Sequence, residues 1–280
     1  MKPTILYYKL KESTAKVKVI SSPIVLIRGL GRSMGFWLEF EDEILKYCDI
    51  ILIDLLGTGG SKSRVGRSCI KDFAEDVKLT LEQLSIKNVH LCGMSLGGMV
   101  VIELAKLFSK EKNININVKS ICIMASSSAG FKQKRINKKP MVKLLLAIFL
   151  SFGISPPKHK ILSRYLVSKN TLSKHENIVD KWDELWKIEG FSHLAILRQL
   201  YAAARYKANL ENSIINYPCL FIVSKHDELV PWTNSISLWH SFPNSKLCVL
   251  ENLGHDLTTD DPILLAQTLC NFYKDITDKG

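Results

Sequence analysis

Six segments of this chain are short and almost wholly apolar: residues 24–27 (IVLI), 50–53 (IILI), 89–92 (VHLC), 118–124 (VKSICIM), 219–223 (CLFIV) and 247–250 (LCVL). A strand without a polar face has to be covered on both sides, which a parallel sheet with helices above and below achieves. The intervening segments meet that demand. Residues 36–47, 73–84, 96–108, 232–242 and 262–273 space their apolar side chains at the helical period. Two more strand-like runs, 5–10 and 15–20, precede them. The expectation is an α/β fold with a mostly parallel central sheet of about eight strands and helices on both faces. At 280 residues and 46% hydrophobic content, the chain is large enough to bury such a core.

The alternation breaks once. After Met124 comes a stretch of helical character, residues 131–210, punctuated by Pro156-Pro157, and the strand rhythm resumes at Tyr217. This reads as a helical cap, 131–210, inserted into a core made of 1–130 and 211–280. The insertion also carries the charge. Between Phe131 and His175 stand eleven of the 38 Lys and Arg residues and no acid, which leaves 27 basic against 27 acidic residues elsewhere. The net charge of +11 therefore belongs to one segment, beginning with Lys132, Lys134, Arg135, Lys138, Lys139 and Lys143.

The seven cysteines show no metal-ligand spacing, and Cys92, Cys122, Cys219 and Cys248 sit inside apolar runs, as small buried hydrophobes of a reducing compartment do. The N-terminal MKPTILYYKLKES has no long apolar segment behind it, and the most apolar later window, 144–150, is far below the roughly 20 residues needed to span a bilayer. A cytoplasmic protein is expected.

One stretch, HLCGMSLGGMV at 90–100, surrounds a serine with Gly93, Gly97 and Gly98. It fits G-x-S-x-G between a strand and an amphipathic helix. A sharp strand-to-helix turn leaves no room for side chains on either flank, and it lifts the Ser95 hydroxyl above the strand ends beside the free N–H groups of a helix N-terminus. A serine hydroxyl needs a base, and the base needs an orienting acid. Downstream, strand CLFIV leads into SKHDELVP with Asp227, and strand LCVL into ENLGHDL with His255. Each lies past the carboxyl end of a strand, in the chain order Ser, Asp, His. Glu228 competes with Asp227 for the acid's place, and Asp256 reads as a loop or capping residue.

With IRGLGRSMGFW, DLLGTGGS, GMSLGG, SKHDELVP and GHDLTTDDP, the chain resembles the α/β-hydrolase family, in particular its small capped serine esterases. The resemblance covers 22–129 and 213–276. It implies Ser95 as nucleophile, His255 as base and then acid, Asp227 as the residue orienting His255, and an oxyanion hole built from the backbone N–H groups of Leu30 and Leu96. It implies cleavage of a carboxylic ester or thioester through an acyl-serine, with neither metal nor organic cofactor. Serine at the turn separates the chain from the family's dehalogenases and epoxide hydrolases, which attack with aspartate. Family members usually carry His-Gly where this chain has Arg28-Gly29. Asp54 to Ser61 forms a D-x-x-G-x-G-x-S loop, read as scaffolding.

Trp37, Met94, Met99, Met141 and Leu144 are candidates for an apolar acyl pocket, although their spacings also suit core packing. For the basic cap three readings stand: a solvated lid, a dock for an acidic acyl-carrier protein like that of the pimeloyl-carrier methyl ester esterases, or a surface for anionic phospholipid. No motif supports nucleic-acid binding. A function of another class, a noncatalytic small-ligand receptor, also occurs on this fold.

Overall fold

The computed structural model describes residues 2–62, 68–111, 115–150, 159–174, 177–190, 192–210 and 215–277; Pro156-Pro157 and Lys158 lie outside them. Seven strands form one sheet: β1 (Tyr8–Lys11), β2 (Ile24–Ile27), β3 (Ile50–Ile53), β4 (Asn88–Met94), β5 (Asn117–Met124), β6 (Cys219–Ser224) and β7 (Ser245–Leu250). Their spatial order is β1-β3-β2-β4-β5-β6-β7. Only β1 runs antiparallel, to β3; every other pairing is parallel.

The apolar runs are explained by the two cores. Val25 and Ile27 of β2, Ile51 and Ile53 of β3 and Leu91 of β4 face one core, packed by α2 (Ile70–Gln83) and α3 (Leu96–Lys110) through Phe73, Val77, Val100 and Leu104. Their alternates Ile24, Leu26, Leu52 and Cys92 face the other, where α1 (Glu39–Leu45) contributes Phe40 and Ile44. Successive strand residues point to opposite faces, so a doubly covered strand is apolar except where buried polar groups pair, as His90 and Ser120 do at 2.8 Å.

Between β5 and β6 the chain forms α4 (Lys138–Leu150), α5 (His159–Leu166), α6 (Lys169–Lys174), α7 (Ile178–Glu189) and α8 (His193–Arg205). Helix α8 sends Ala202 into the first core, while Trp182 and Ile178 of α7 join Phe36 and Val167 in a small separate cluster. The chain then returns through α9 (Trp232–Trp239), α10 (Leu257–Asp260) and α11 (Pro262–Thr277), the last packing Leu265, Leu269 and Tyr273 onto the second core. Among the described residues no helix is long and apolar enough to cross a membrane.

The expected strand at 15–20 does not form. Val17 and Val19 are exposed, and the N–H groups of Thr14, Val19 and Ile20 donate to Leu45 and Tyr47 carbonyls at the end of α1. Those bonds hold the segment against the helix and away from the sheet edge, which leaves seven strands.

The strand order creates the site. From β2 the chain steps to β3 on one side, then crosses back to β4 on the other side of β2. The loops leaving β2 and β4 diverge there, opening the crevice at the carboxyl ends where ligands bind in open α/β sheets.

Candidate active site

Ser95 occupies the turn between β4 and α3 with φ 56° and ψ −117°, a left-handed conformation that side-chain-bearing residues rarely adopt. Its backbone is clamped on both sides: the Ser95 N–H donates to Met124 O at 2.8 Å, and Ser126 Oγ donates to Ser95 O at 2.8 Å. A Cβ on Gly93 would sit 2.2 Å from Gly97 O, and one on Gly97 would sit 2.1 Å from Ile27 O. Side chains there would push the turn off the end of β2.

The loops after β6 and β7 bring two further groups to the serine. His255 Nε2 lies 3.0 Å from Ser95 Oγ, and His255 Nδ1 lies 2.7 Å from Asp227 Oδ2. The other carboxylate oxygen of Asp227 accepts the Leu229 and Val230 N–H groups at 2.9 and 2.8 Å, which fixes its orientation. A carboxylate only accepts, so Nδ1 carries the proton and Nε2 presents a lone pair to the serine hydroxyl. Glu228, the rival acid, is exposed. Burial resists charging His255, but the charge and hydrogen bond of Asp227, together with Asp256, outweigh it and hold the imidazole above its ordinary pKa, with Arg28 opposing them.

The chain leaving β2 passes over the serine. A Cβ on Gly29 would lie 3.1 Å from Ser95 Cβ and 3.6 Å from Ser95 Oγ, so the backbone at 29–30 borders the hydroxyl. Gln199 of α8 braces this loop by accepting the Gly31 N–H at 2.9 Å. The Leu30 and Leu96 backbones flank the serine, and no described residue accepts a hydrogen bond from either N–H.

Arg28 and Asp256 form an ion pair that the sequence did not announce. Each is 2% exposed; Arg28 Nη2 meets Asp256 Oδ2 at 2.7 Å, and Nη1 reaches Asp256 Oδ1 at 3.3 Å and Thr258 Oγ1 at 3.0 Å. The guanidinium also covers the Trp37 ring at 4.7 Å. Burial resists charging Asp256, yet Arg28 outweighs it and holds the carboxyl below the usual range. Asp256 stands at the N-cap position of α10 without capping it, because its carboxylate is engaged by Arg28.

A cavity of about 560 Å³ opens over Ser95 and His255. Met94, Met99, Met141 and Leu144 line it, joined by Trp186, Ile196 and Leu200 of α7 and α8. Trp37 does not. Its ring is fully buried beneath the Arg28 guanidinium, 5.4 Å from Phe40, because the 3₁₀ turn Met34–Trp37 directs it into the second core. Among the six leading cap cations, Lys132, Lys134, Lys138, Lys139 and Lys143 are exposed. Arg135 is turned inward: Nη2 and Nη1 donate to the Ala203 and Ala204 carbonyls at 2.6 and 3.0 Å, so it joins α4's approach to α8 and adds little to the surface charge.

Asp54 is buried at the start of its glycine-rich loop, where it accepts the Met34 and Gly60 N–H groups at 2.7 and 2.8 Å. Burial pushes its carboxyl up to about 6 despite these bonds. It ties two loops together away from the serine. Among the described residues no group of three or more His, Cys, Asp or Glu side chains is arranged to hold a metal ion.

Residues 22–150 match the model of a family described as alpha/beta hydrolase fold. Two curated relatives carry the name "Putative carbamate hydrolase RutD": the one from Acinetobacter baylyi is 24% identical over 91% of this chain and 94% of its own, and the one from Pseudomonas savastanoi 27% identical over 89% and 92%. Among solved structures, an esterase from Thermogutta terrifontis superposes with a TM-score of 0.75 at 15% identity, covering 97% of this chain and 93% of its own. The enol-lactonase from Burkholderia xenovorans LB400 does so with a TM-score of 0.75 at 16% identity over 95% of each chain. With its mostly parallel sheet covered by helices and its glycine-flanked serine turn, the chain has the alpha/beta hydrolase fold.

Proposed function

We propose that this protein is a serine hydrolase that cleaves a carboxylic ester through an acyl-Ser95 intermediate. The reading is carried by the continuous hydrogen-bonded series from Ser95 Oγ through His255 to the buried Asp227. Ser95 Oγ attacks the ester carbonyl carbon while its proton passes to His255 Nε2. The negative charge that develops on the carbonyl oxygen is met by the Leu30 and Leu96 N–H groups, fixed dipoles that need no rearrangement. Collapse of the tetrahedral intermediate breaks the bond to the alcohol, which takes the proton from the imidazolium. Water, deprotonated by His255, then attacks the acyl carbon and restores the Ser95 hydroxyl. Asp227 holds the tautomer that this sequence of transfers requires and stabilises the imidazolium between them.

The cavity supports an acyl chain as the group held. Its walls are mainly aliphatic and thioether side chains contributed by α4, α5 and α8 as well as the core, so these helices act as a lid that keeps water from the acyl-enzyme. The relatives' names suggest a carbamate, whose carbonyl would undergo the same attack at Ser95. A bare carbamate would leave most of the 560 Å³ empty, so we favour a longer ester.

A fluorophosphonate probe tests the reading directly. Intact protein mass spectrometry is expected to find one adduct, at Ser95, and Ser95→Ala to lose both the adduct and turnover of p-nitrophenyl esters, by about 10⁴-fold or more. Labelling elsewhere, or turnover retained by Ser95→Ala, rejects the mechanism.

A further inference from the structure

The loop after β2 brings two arginines to the same cavity, and only one of them is neutralised. Arg28 is taken up by Asp256. Arg32 follows in the same turn, its N–H donating to Gly29 O at 3.2 Å just beside Ser95, and its side chain forms part of the cavity wall. Both of its terminal nitrogens, Nη1 and Nη2, are buried without a hydrogen-bond partner among the described residues. What Arg32 does have is aromatic neighbours: the guanidinium carbon lies 4.2 Å from the centre of the Phe36 ring and 4.0 Å from that of the Trp182 ring.

This arrangement leaves a specific deficit. Stacking on ring faces attracts the cation but cannot satisfy N–H donors, which lie in the plane of the guanidinium. A buried charge without hydrogen bonds in its own plane is costly unless a counter-ion supplies them. The cavity wall offers none. Its one acid besides the triad is Asp256, already bridged by Arg28, and its other cations are Arg135, which is bound to carbonyl oxygens, and Lys138. Burial lowers the Arg32 pKa to about 9, with Asp256 opposing and Arg28 adding to the effect, so the group is still charged at neutral pH.

We infer that Arg32 is a specificity-determining residue, whose clamped guanidinium receives a carboxylate carried by the substrate at the end remote from the scissile carbonyl. The substrate class is then an ester of an acid that bears a second, free carboxylate. A planar carboxylate matches the fork of the guanidinium and accepts two parallel N–H bonds in its plane, a geometry a tetrahedral phosphate matches less well. One monoanion balances the charge of Arg32. The cavity's aliphatic lining suits a methylene chain joining the two ends. This inference rests on the proposed serine hydrolase and narrows it.

The test compares kcat/KM for monomethyl esters of linear dicarboxylic acids, from succinate to suberate, with methyl alkanoates of matching length. The wild type is expected to prefer the charged ester by about tenfold or more at the best length, because a site built for a polar group penalises its absence. Arg32→Met is expected to remove that preference and Arg32→Lys to restore part of it. A purely structural clamp would lower Tm and slow both substrates together, leaving their ratio unchanged. A wild-type ratio at or below one at every length, or a ratio in Arg32→Met within about twofold of wild type, overturns the inference.

Calorimetric binding of adipate provides a readout that needs no turnover. Binding to the wild type about tenfold tighter than to Arg32→Met, or to Arg32→Lys if the methionine variant does not fold, supports the anion site; equal binding overturns it. Absence of both turnover and Ser95 labelling would instead remove the hydrolase reading, with adipate still deciding the role of Arg32.

Discussion

Replacing Asp256 by asparagine removes one charge from a pair that has no access to water. Arg28 and Asp256 are each 2% exposed, and two of the three nitrogen–oxygen hydrogen bonds of the guanidinium go to this carboxylate. Breaking a buried pair strands the partner charge and costs about 3–5 kcal/mol. The upper end applies here, because Arg32 is a second cation nearby that Asp256 also offsets. At roughly 2–4 °C per kcal/mol for a domain of this size, Tm should fall by about 10 °C. Replacing both partners, Arg28→Met with Asp256→Leu, removes the stranded charge and should recover most of that loss. Urea melts across pH add a sign. The folded-state pKa of Asp256 is depressed, so its contribution is complete above the ordinary carboxylate value and disappears as pH falls through the depressed one. The gap between wild type and Asp256→Asn should therefore close in acid. A single variant within about 1 kcal/mol of wild type, or a double variant no better than the single, would refute this account of the pair.

The pH dependence of kcat/KM follows from His255, which must be neutral to take the serine proton: activity should rise with pH through a midpoint above the ordinary histidine value of 6.5, and Asp256→Asn should move that midpoint down. An unmoved midpoint would mean that Asp256 does not act on the imidazole. Asp227→Asn is expected to lower kcat by about 10⁴-fold by favouring the wrong tautomer, whereas Glu228→Gln, at an exposed position, should stay within about twofold; stopped assays on p-nitrophenyl acetate distinguish them. Arg28→Lys keeps the charge but loses the two-pronged contact, so a thermal melt should place it between wild type and Arg28→Met.

The sheet was legible because its demand is written in the central strands. IVLI has no polar position because Ile24 and Leu26 enter one core while Val25 and Ile27 enter the other. The expected strand at 15–20 shows the limit of such reading. Val17 and Val19 alternate with lysines as a half-buried strand does, but the hydrogen bonds that decide the matter come from the end of α1. Trp37 was misplaced for a related reason. It sits close in sequence to the loop beside Ser95, but a 3₁₀ turn carries its ring behind Arg28 into the second core. The positions of Ser95, Asp227 and His255 were readable because each follows a recognisable strand. Arg32 gave no such signal, since a charged residue in a glycine-rich loop reads as solvated and the ring that closes over it, Trp182, comes from a distant cap helix.

The two arginines of this loop make sense as one electrostatic arrangement. Asp256 neighbours His255, and a second carboxylate beside this imidazole would stabilise its protonated form and, in the proposed mechanism, weaken it as a base at neutral pH. Arg28 counters that effect directly, for the two act on His255 with opposite sign. The same pair ties the loop after β2 to the loop after β7, and so fixes Leu30, which borders the serine, relative to His255. At the outer end of that short loop Arg32 has no such partner, and Asp256 cannot serve both cations at bonding distance. Arg135 and Lys138 of the basic segment add to the cavity wall, but the positive charge beside Phe36 and Trp182 comes from the loop after β2. It is set by the spacing of Arg28 and Arg32 in RGLGRS: one arginine reaches Asp256 beside the imidazole, and the other lies against the Phe36 and Trp182 rings with its terminal N–H groups left for the anion inferred above.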